Sequence, residues 1–400
     1  MKRLTCLFPG QGTIDKDVVN KEWYSSKISQ LIFEEAEKIL SWNIDCYLRE
    51  LSYQELAQTN IAQPLIYTLN MAMYYTLFNS NKLKPSIFLG HSLGEYCALV
   101  ASEAITFNQG LEIVAKRGEL MAEYTSIEET AMASIIGADI DKITQLLNQN
   151  NTTTSVVDIA AYNSKEQIVL SGHKAQILSI VNQLKDEKIR FTLLNVGGPF
   201  HSRLYKDIEE KFRSYIEKIT FSPPKNTVVS SIIGEVILQP EQIKKALSEQ
   251  ITSPVLWAKA VGFLNENYNW FGIEVGGKTV LKRLLSNHTV IATSEYNATH
   301  GILQEINNSK EQIFDFSAAA IRTAVTFPNK CQKQVDVVIS TFEEIQQQRE
   351  SFLQTNEIDW HNIEDLLKKL LLAKGYEKAE VEKELMAIKK ETGVSLSSNT

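Results

Sequence analysis

The chain is 400 residues long, with 44% hydrophobic and 22% charged residues and a formal net charge of −7 at pH 7. This length exceeds the usual size of one domain, so we expect two or three domains. The acidic balance gives no support to nucleic-acid binding. Four cysteines without paired spacing argue against a disulfide framework or a thiolate metal site and fit the reducing cytoplasm. We expect neither a signal peptide nor a membrane span.

The N-terminal region is predicted to form a strand and then two helices. Residues 4–8 are an apolar run, and the P-G-Q-G turn at 9–12 lets the backbone approach another group closely, although an ordinary loop is an equally good interpretation. Apolar residues recur at helical spacing over 29–40 and 63–78, with Pro64 in the predicted first turn of the second helix. Both helices are predicted to face the core.

Residues 87–96, I-F-L-G-H-S-L-G-E-Y, contain the pattern G-x-S-x-G with Ser92 between Gly90 and Gly94. In a nucleophile elbow the serine lies in a sharp turn between a strand and a helix, where neighbours two residues away have no room for a β-carbon. Residues 86–89 predict the buried strand and residues 95–104 the helix. Ser92 is therefore a candidate nucleophile, and an ordinary turn at a strand end is the alternative.

A helix is predicted from Thr106, where T-F-N-Q forms a capping box, to about Tyr124. Arg117 lies near the apolar face that Val114 and Met121 share, so its guanidinium is predicted to emerge from a largely apolar surface and to need an anion. The alternative is an arginine that reaches solvent or pairs with a neighbouring glutamate.

The order of predicted elements changes to βαββαβ between residues 131 and 196. We predict strands over 131–137, 156–161, 167–170 and 190–196, and helices over 140–148 and 174–185. This is the ferredoxin-like order, which closes on itself. It predicts a small subdomain inserted into a larger α/β body.

The turn G-G-P-F-H-S at 197–202 returns the chain to the larger body and holds His201 before another helix. Among the six histidines, His201 is the best candidate base for Ser92, whereas His91 is expected to point away from the serine. A structural or solvent-exposed role is the alternative for His201. No acid lies in a loop that would complete a Ser-Asp-His order, so the group that orients the ring stays open.

Two later patterns complete the chain. The G-G-K at 276–278 follows a predicted strand but lacks the spacing of a Walker loop, which argues against a phosphate site. Residues 359–375 predict an amphipathic helix that ends at Gly375 and carries a Glu364–Lys368 pair. Its apolar face either packs on the body or docks a partner.

Taken together, the motifs resemble the malonyl-CoA:acyl-carrier-protein transacylase family over roughly residues 1–304. The matching motifs are F-P-G-Q-G at 8–12, Q-P at 63–64, G-H-S-L-G-E-Y at 90–96, R-G at 117–118, N-S at 163–164, F-H-S at 200–202, and Gln250 with S-P-V-L-W at 253–257. Their order, spacing and predicted secondary structure all agree. Stand-alone enzymes that serve trans-acyltransferase polyketide synthases are the most similar, partly because the chain continues well past the usual end.

The resemblance implies a fold and a domain organisation. It predicts an α/β-hydrolase-like catalytic subdomain over 1–128 and 198–303 and a ferredoxin-like subdomain over 129–197. A mostly helical C-terminal extension is expected over 304–400.

The resemblance also implies roles for the site residues. Ser92 and His201 would form a catalytic dyad without a carboxylate, with His201 held by a backbone carbonyl that maps onto Gln250. The backbone N–H groups of Gln11 and Leu93 would form the oxyanion hole. The implied substrate-binding residues are Arg117 as the malonyl anchor, Phe200, Gln63, Asn163 and His91.

The implied activity is malonyl transfer from malonyl-CoA, through a Ser92 ester, to the phosphopantetheine thiol of an acyl carrier protein, in polyketide or fatty acid synthesis. We expect carrier domains of a polyketide synthase as partners, and no cofactor or metal. The ring of Phe200 would crowd an α-methyl group, so malonyl is favoured over branched units. Two alternatives stay open: an acyl hydrolase on this scaffold, which Arg117 disfavours, and a non-catalytic docking subunit, which intact Ser92 and His201 disfavour.

Overall fold

The computed structural model describes residues 3–81, 84–124, 129–137, 139–152, 154–184, 189–194, 196–295, 315–355 and 360–392. The chain divides into two compact units. The larger comprises Leu4–Leu264 and Phe271–Ala298, and the smaller comprises Met1–Arg3, Asn265–Trp270 and Thr299–Thr400. Within the described residues, no helix combines the length and the apolar character that crossing a membrane requires.

A six-stranded sheet supports the larger unit. Its strands, in the spatial order β10-β9-β1-β2-β7-β8, are β1 Arg3–Phe8, β2 Ile87–Gly90, β7 Thr227–Val229, β8 Val236–Ile237, β9 Trp270–Glu274 and β10 Val290–Ala292. Strands β1 and β2 are parallel neighbours, with Phe8 opposite Gly90. Because parallel strands end at the same edge of a sheet, the P-G-Q-G turn after β1 lies beside the elbow after β2.

Helices cover this sheet and supply further residues to the edge where β1 and β2 end. Their bounds are α1 Lys27–Leu40, α2 Ile44–Glu50, α3 Tyr53–Leu56, α4 Thr59–Asn81, α5 Gly94–Ala101, α6 Phe107–Ala122, α9 Lys206–Ile216, α10 Pro240–Glu249, α11 Trp257–Asn267 and α12 Leu281–Leu284. The predicted capping box at the start of α6 is confirmed, since the side chain of Thr106 accepts from the N–H of Gln109 and the Gln109 side chain accepts in return.

The prediction for α4 is wrong at its start. Pro64 lies inside the helix and not in its first turn, because the carbonyl of Gln58 already accepts the N–H groups of Ile61 and Ala62 and so begins the helix one turn earlier. Proline lacks an N–H, so its place in the helix leaves one backbone hydrogen bond unmade.

A four-stranded antiparallel sheet forms the small subdomain, as predicted. Its elements are β3 Thr130–Ile136, α7 Ile140–Asn150, β4 Val157–Tyr162, β5 Gln167–His173, α8 Lys174–Gln183 and β6 Arg190–Leu193, with the strand order β4-β5-β3-β6. Buried side chains of the strands, such as Ile135 and Leu170, share one core with Ile143 of α7 and Ile177 of α8. Strand β4 is an outer strand of this sheet.

The C-terminal part of the smaller unit, over the described residues 315–355 and 360–392, is mostly helical. It contains a helix that includes residues 315–326, followed by α14 Val335–Thr355, α15 Trp360–Ala373 and α16 Lys378–Thr392; we number the first of these α13. The predicted apolar face of α15 packs against buried residues such as Phe316, Ile345 and Leu385 in the core of this unit. Gly375 has φ +91°, the left-handed conformation that ends helices. The Glu364–Lys368 pair is present at 3.0 Å.

Candidate active site

Ser92 lies in the turn between β2 and α5, and its backbone has φ +51°. This left-handed conformation costs a non-glycine residue about 1–2 kcal/mol. The two flanking glycines have no room for a side chain: a β-carbon on Gly94 would lie 2.0 Å from the carbonyl oxygen of Phe8, and one on Gly90 would lie 2.0 Å from the carbonyl carbon of Gly94. The elbow geometry that G-x-S-x-G predicts is therefore present.

His201 faces the serine from the turn that follows the small subdomain. Its Nε2 lies 2.7 Å from Ser92 Oγ, and its Nδ1 lies 2.9 Å from the carbonyl oxygen of Ser253. A carbonyl can only accept, so Nδ1 carries the hydrogen and Nε2 presents its lone pair to the serine hydroxyl. The ring is buried, and the backbone of His201 is left-handed at φ +59°. The pair thus has the geometry of a nucleophile and its base.

The environment keeps His201 neutral. Burial, followed by the positive charge of Arg117, lowers the pKa of His201 to about 3, against the opposing effect of hydrogen bonds to the backbone of Ser253 and Gln250. An imidazole that stays unprotonated at neutral pH is ready to accept the hydroxyl proton.

The carbonyl that accepts from His201 differs from the expected one. It belongs to Ser253, three residues beyond Gln250, because the segment after α10 runs along strand β4 and brings this carbonyl to the ring. Gln250 is fully buried, and its side-chain Nε2 donates to the carbonyl oxygen of Ser92 at 3.2 Å. Gln250 therefore binds the backbone of the nucleophile through its side chain. Its own backbone also raises the pKa of His201, but by less than the backbone of Ser253 does.

Arg117 reaches the nucleophile from α6. Its Nη1 donates to Oε1 of Gln63 at 2.7 Å, its Nη2 lies 3.5 Å from Ser92 Oγ, and its guanidinium carbon lies 5.8 Å from the ring centre of Tyr96. The residue is only 2% exposed. No carboxylate of the described residues forms a salt bridge with it, and the neighbouring glutamates Glu119 and Glu123 bind Lys116 and Lys211 instead.

A buried guanidinium with no counter-ion is costly, and burial lowers the pKa of Arg117 accordingly. The cost is recovered when an anion binds, and the planar group can donate two parallel hydrogen bonds to a carboxylate. The arrangement can therefore bind an anionic ligand beside Ser92 Oγ.

A cavity of about 410 Å³ opens beside the dyad. Among the expected substrate-binding residues, His91, Asn163 and Phe200 line it. Nε2 of His91 lies 2.9 Å from Oδ1 of Asn163, and burial lowers the pKa of His91. Gln63 is fully buried and reaches the serine only through Arg117.

The two expected oxyanion-hole residues lie on loops that meet beside Ser92. Gln11 lines the cavity. Its neighbour Gly10 lies so close to the elbow that a β-carbon on Gly10 would be 2.8 Å from the carbonyl oxygen of His91. Leu93 directly precedes α5, so its N–H lies at the positive end of a helix. The structure thus brings both residues beside the elbow.

Sequence reasoning missed one buried carboxyl group near the elbow. Glu95, in the first turn of α5, is fully buried and accepts from the hydroxyls of Ser230 at 2.6 Å and Ser231 at 3.1 Å. Burial raises the pKa of Glu95 to about 7, although these hydrogen bonds act against the rise. Its position within G-H-S-L-G-E-Y is the signal that could have found it, since a charged residue interrupts an otherwise apolar helix.

The described residues contain no cluster of three or more His, Cys, Asp or Glu side chains that could hold a metal ion. The chemistry that this arrangement supports is attack by an activated serine on an acyl group.

Comparison with known proteins identifies the family. The sequence-family model of the acyl transferase domain matches residues 6–325 of this chain. The polyketide biosynthesis protein PksE of Bacillus subtilis is 34% identical over 287 residues, which cover 70% of this chain but only 36% of PksE. The polyketide biosynthesis malonyl CoA-acyl carrier protein transacylase PksC of the same organism is 32% identical over 284 residues, 70% of this chain and 96% of PksC.

The fold has relatives among solved structures. A malonyl-transacylase, solved in complex with its acyl-carrier protein from a type II polyketide synthase, superimposes with a TM-score of 0.71 and 27% identity, over 76% of this chain and all of that one. Such proteins combine an α/β-hydrolase-like body with a ferredoxin-like subdomain, and the two sheets described above belong to these two parts. On the sequence match and this shared architecture, the chain belongs to the acyl transferase family.

Proposed function

We propose that this protein transfers a malonyl group from malonyl-CoA, through an ester on Ser92, to the phosphopantetheine thiol of an acyl carrier protein. The observation that carries the proposal is the buried guanidinium of Arg117, which has no carboxylate partner among the described residues and lies 3.5 Å from the nucleophile. A malonyl group supplies the missing carboxylate, whereas an acetyl group does not.

In the first half-reaction His201 Nε2 takes the proton of the Ser92 hydroxyl as Oγ attacks the thioester carbonyl carbon. The N–H groups of Gln11 and Leu93 stabilise the tetrahedral oxyanion. The C–S bond then breaks, and the imidazolium returns its proton to the departing sulfur. CoA leaves and a malonyl ester stays on Ser92.

In the second half-reaction the carrier protein's thiol gives its proton to His201 as the sulfur attacks the ester carbonyl. The C–O bond to Ser92 breaks, and Oγ recovers a proton from the imidazolium. The carbonyl of Ser253 holds the ring in the same tautomer through both steps. Each half-reaction therefore needs one base and one oxyanion hole, and no carboxylate in contact with the histidine.

Two further features support malonyl transfer in polyketide or fatty acid synthesis. Phe200 is buried and lines the cavity, where a bulky ring would crowd an α-methyl group. The relatives PksC and PksE are named for polyketide biosynthesis, and PksC for malonyl transfer to a carrier protein. We place the enzyme in the cytoplasm, where its four free cysteines would stay reduced.

A transfer assay with isotope-labelled malonyl-CoA tests this function. With a holo acyl carrier protein present, we expect label on the carrier, and with the carrier absent or in its apo form we expect label on the enzyme alone. Free malonate released at the rate of CoA formation, with no label on the carrier, would favour the hydrolase. No acyl uptake at all would favour a docking subunit.

A further inference from the structure

His201 belongs to a turn, and two separate segments hold its ring. The first is the turn at 200–203 that carries the residue, and the second is the segment around Ser253, whose carbonyl accepts from Nδ1. Both segments are attached to β4, an outer strand of the small sheet. The placement of the base therefore depends on one edge strand of the small subdomain.

Asp158 on β4 binds the turn. One carboxylate oxygen, Oδ2, accepts from the hydroxyl of Ser202 at 2.8 Å and from the backbone N–H of Arg203 at 2.9 Å. The other, Oδ1, accepts from Nε of Arg203 at 2.7 Å and from its Nη2. Ser202 Oγ also accepts from the N–H of Leu204, in the short 3₁₀ helix that follows. A single carboxylate thus receives four hydrogen bonds from the two residues directly after His201.

The backbone of β4 binds the second segment. Val255 donates its N–H to the carbonyl of Ala160 at 2.9 Å, and its carbonyl accepts from the N–H of Tyr162 at 2.8 Å. These bonds add a one-residue parallel bridge to the free edge of the strand. Since Ser253 lies only two residues before Val255, this bridge fixes the carbonyl that sets the tautomer of His201.

The turn needs such support because His201 has a left-handed backbone. A non-glycine residue keeps this conformation only where its surroundings impose it. Released from β4, the residue can relax to a negative φ, which would rotate the imidazole away from Ser92. A shift of about 1 Å in a reacting group is enough to lower a rate by about a hundredfold.

We propose that Asp158 is a positioning residue for His201, which fixes the turn at 200–203 on strand β4 so that Nε2 stays within hydrogen-bond distance of Ser92. This inference rests on the proposed function only in taking Ser92 and His201 as the reacting pair. Asp158 acts through Ser202 and Arg203 and does not contact the substrate.

The test measures how fast a fluorophosphonate probe labels Ser92, because this reaction needs the dyad but neither malonyl-CoA nor a carrier protein. The variants are Asp158→Ala, which removes all four bonds, and Asp158→Asn, whose one amide oxygen keeps part of them. Glu37→Ala is the matched control, since that carboxylate likewise accepts from a side chain and from the backbone, with Asn43 and the N–H of Ile44 as donors, but is not attached to the turn.

We expect wild-type labelling to be independent of pH from about pH 6 to about pH 8, because His201 is neutral throughout this range. Asp158→Ala should label about ten- to a hundredfold more slowly, with a rate that rises about tenfold per pH unit as hydroxide replaces the displaced base. The labelling rate of Asp158→Asn should lie between those of the wild type and Asp158→Ala. The KM for malonyl-CoA should change less than about threefold in both, since Arg117 is untouched.

The proposal is overturned if Asp158→Ala labels at the wild-type rate with a flat pH profile, or if Glu37→Ala slows labelling as much. Should Asp158→Ala not fold, Asp158→Asn and Arg203→Ala provide the same comparison, and wild-type rates and pH profiles in both would overturn the proposal. A wild-type enzyme that labels at Ser92 but transfers no malonyl group would refute the proposed function alone.

Discussion

Replacing Arg117 by methionine tests the selection of an anionic acyl group. Methionine keeps most of the side-chain volume but removes the charge and the bonds to Gln63 and Ser92. A buried carboxylate left without its partner costs about 3–5 kcal/mol. At about 1.4 kcal/mol per factor of ten, kcat/KM for malonyl-CoA should fall roughly 10²- to 10⁴-fold.

Acetyl-CoA has no carboxylate, so its kcat/KM should change much less. The loss of the nearby positive charge also raises the pKa of His201, because Arg117 is the second cause of its depression. Quenched-flow mass spectrometry measures the rate of acyl-enzyme formation from each thioester and gives the ratio of the malonyl rate to the acetyl rate. Lys116→Met is the control, since this half-buried neighbour on α6 pairs with Glu119 and has no contact with Ser92 among the described residues. Equal losses for the two thioesters would refute the anchor role.

Three further predictions concern the same region. Gly94→Ala should destabilise the protein by at least about 1–3 kcal/mol in urea, because its β-carbon would lie 2.0 Å from the Phe8 carbonyl, whereas Gly262→Ala, with nothing within 4 Å, should not; equal midpoints would contradict this reading. Glu95→Gln should gain stability relative to the wild type as pH rises from about 5 to about 8. The folded pKa of Glu95 is raised to about 7, so the wild type loses on the order of 3 kcal/mol in its free energy of unfolding over this range, whereas the variant does not. A constant difference in stability between the two proteins would show that Glu95 does not titrate there. Wild-type kcat/KM should stay level as pH falls from 7 to about 5, because the pKa of His201 is depressed to about 3, and an acid limb near 6.5 would show a histidine with an ordinary pKa.

The sequence alone identified the local part of the site. The elbow is encoded within five residues, because only glycine fits at positions 90 and 94. The ferredoxin-like subdomain followed from strand and helix periodicities that each span one element.

The parts that depend on contacts between distant segments could not be predicted in this way. The acceptor for His201 proved to be Ser253 because the segment after α10 pairs with β4, some 90 residues earlier in the chain. Asp158 has no motif of its own, and its four hydrogen bonds exist only once β4 lies beside the turn. The early start of α4 has a local cause instead, since the carbonyl of Gln58 accepts the N–H groups of Ile61 and Ala62 and this outweighs the preference of Pro64 for a first turn.

In the proposed reaction Ser92 carries a malonyl ester during turnover. The most direct test is peptide mass mapping of enzyme quenched in acid after incubation with malonyl-CoA, in the wild type and in Ser92→Ala. We expect one malonyl group on the peptide that contains Ser92 in the wild type, its disappearance when a holo carrier protein is added, and none in the variant. A malonyl group on another residue, or none on Ser92 while malonyl groups still reach the carrier, would contradict the proposed reaction.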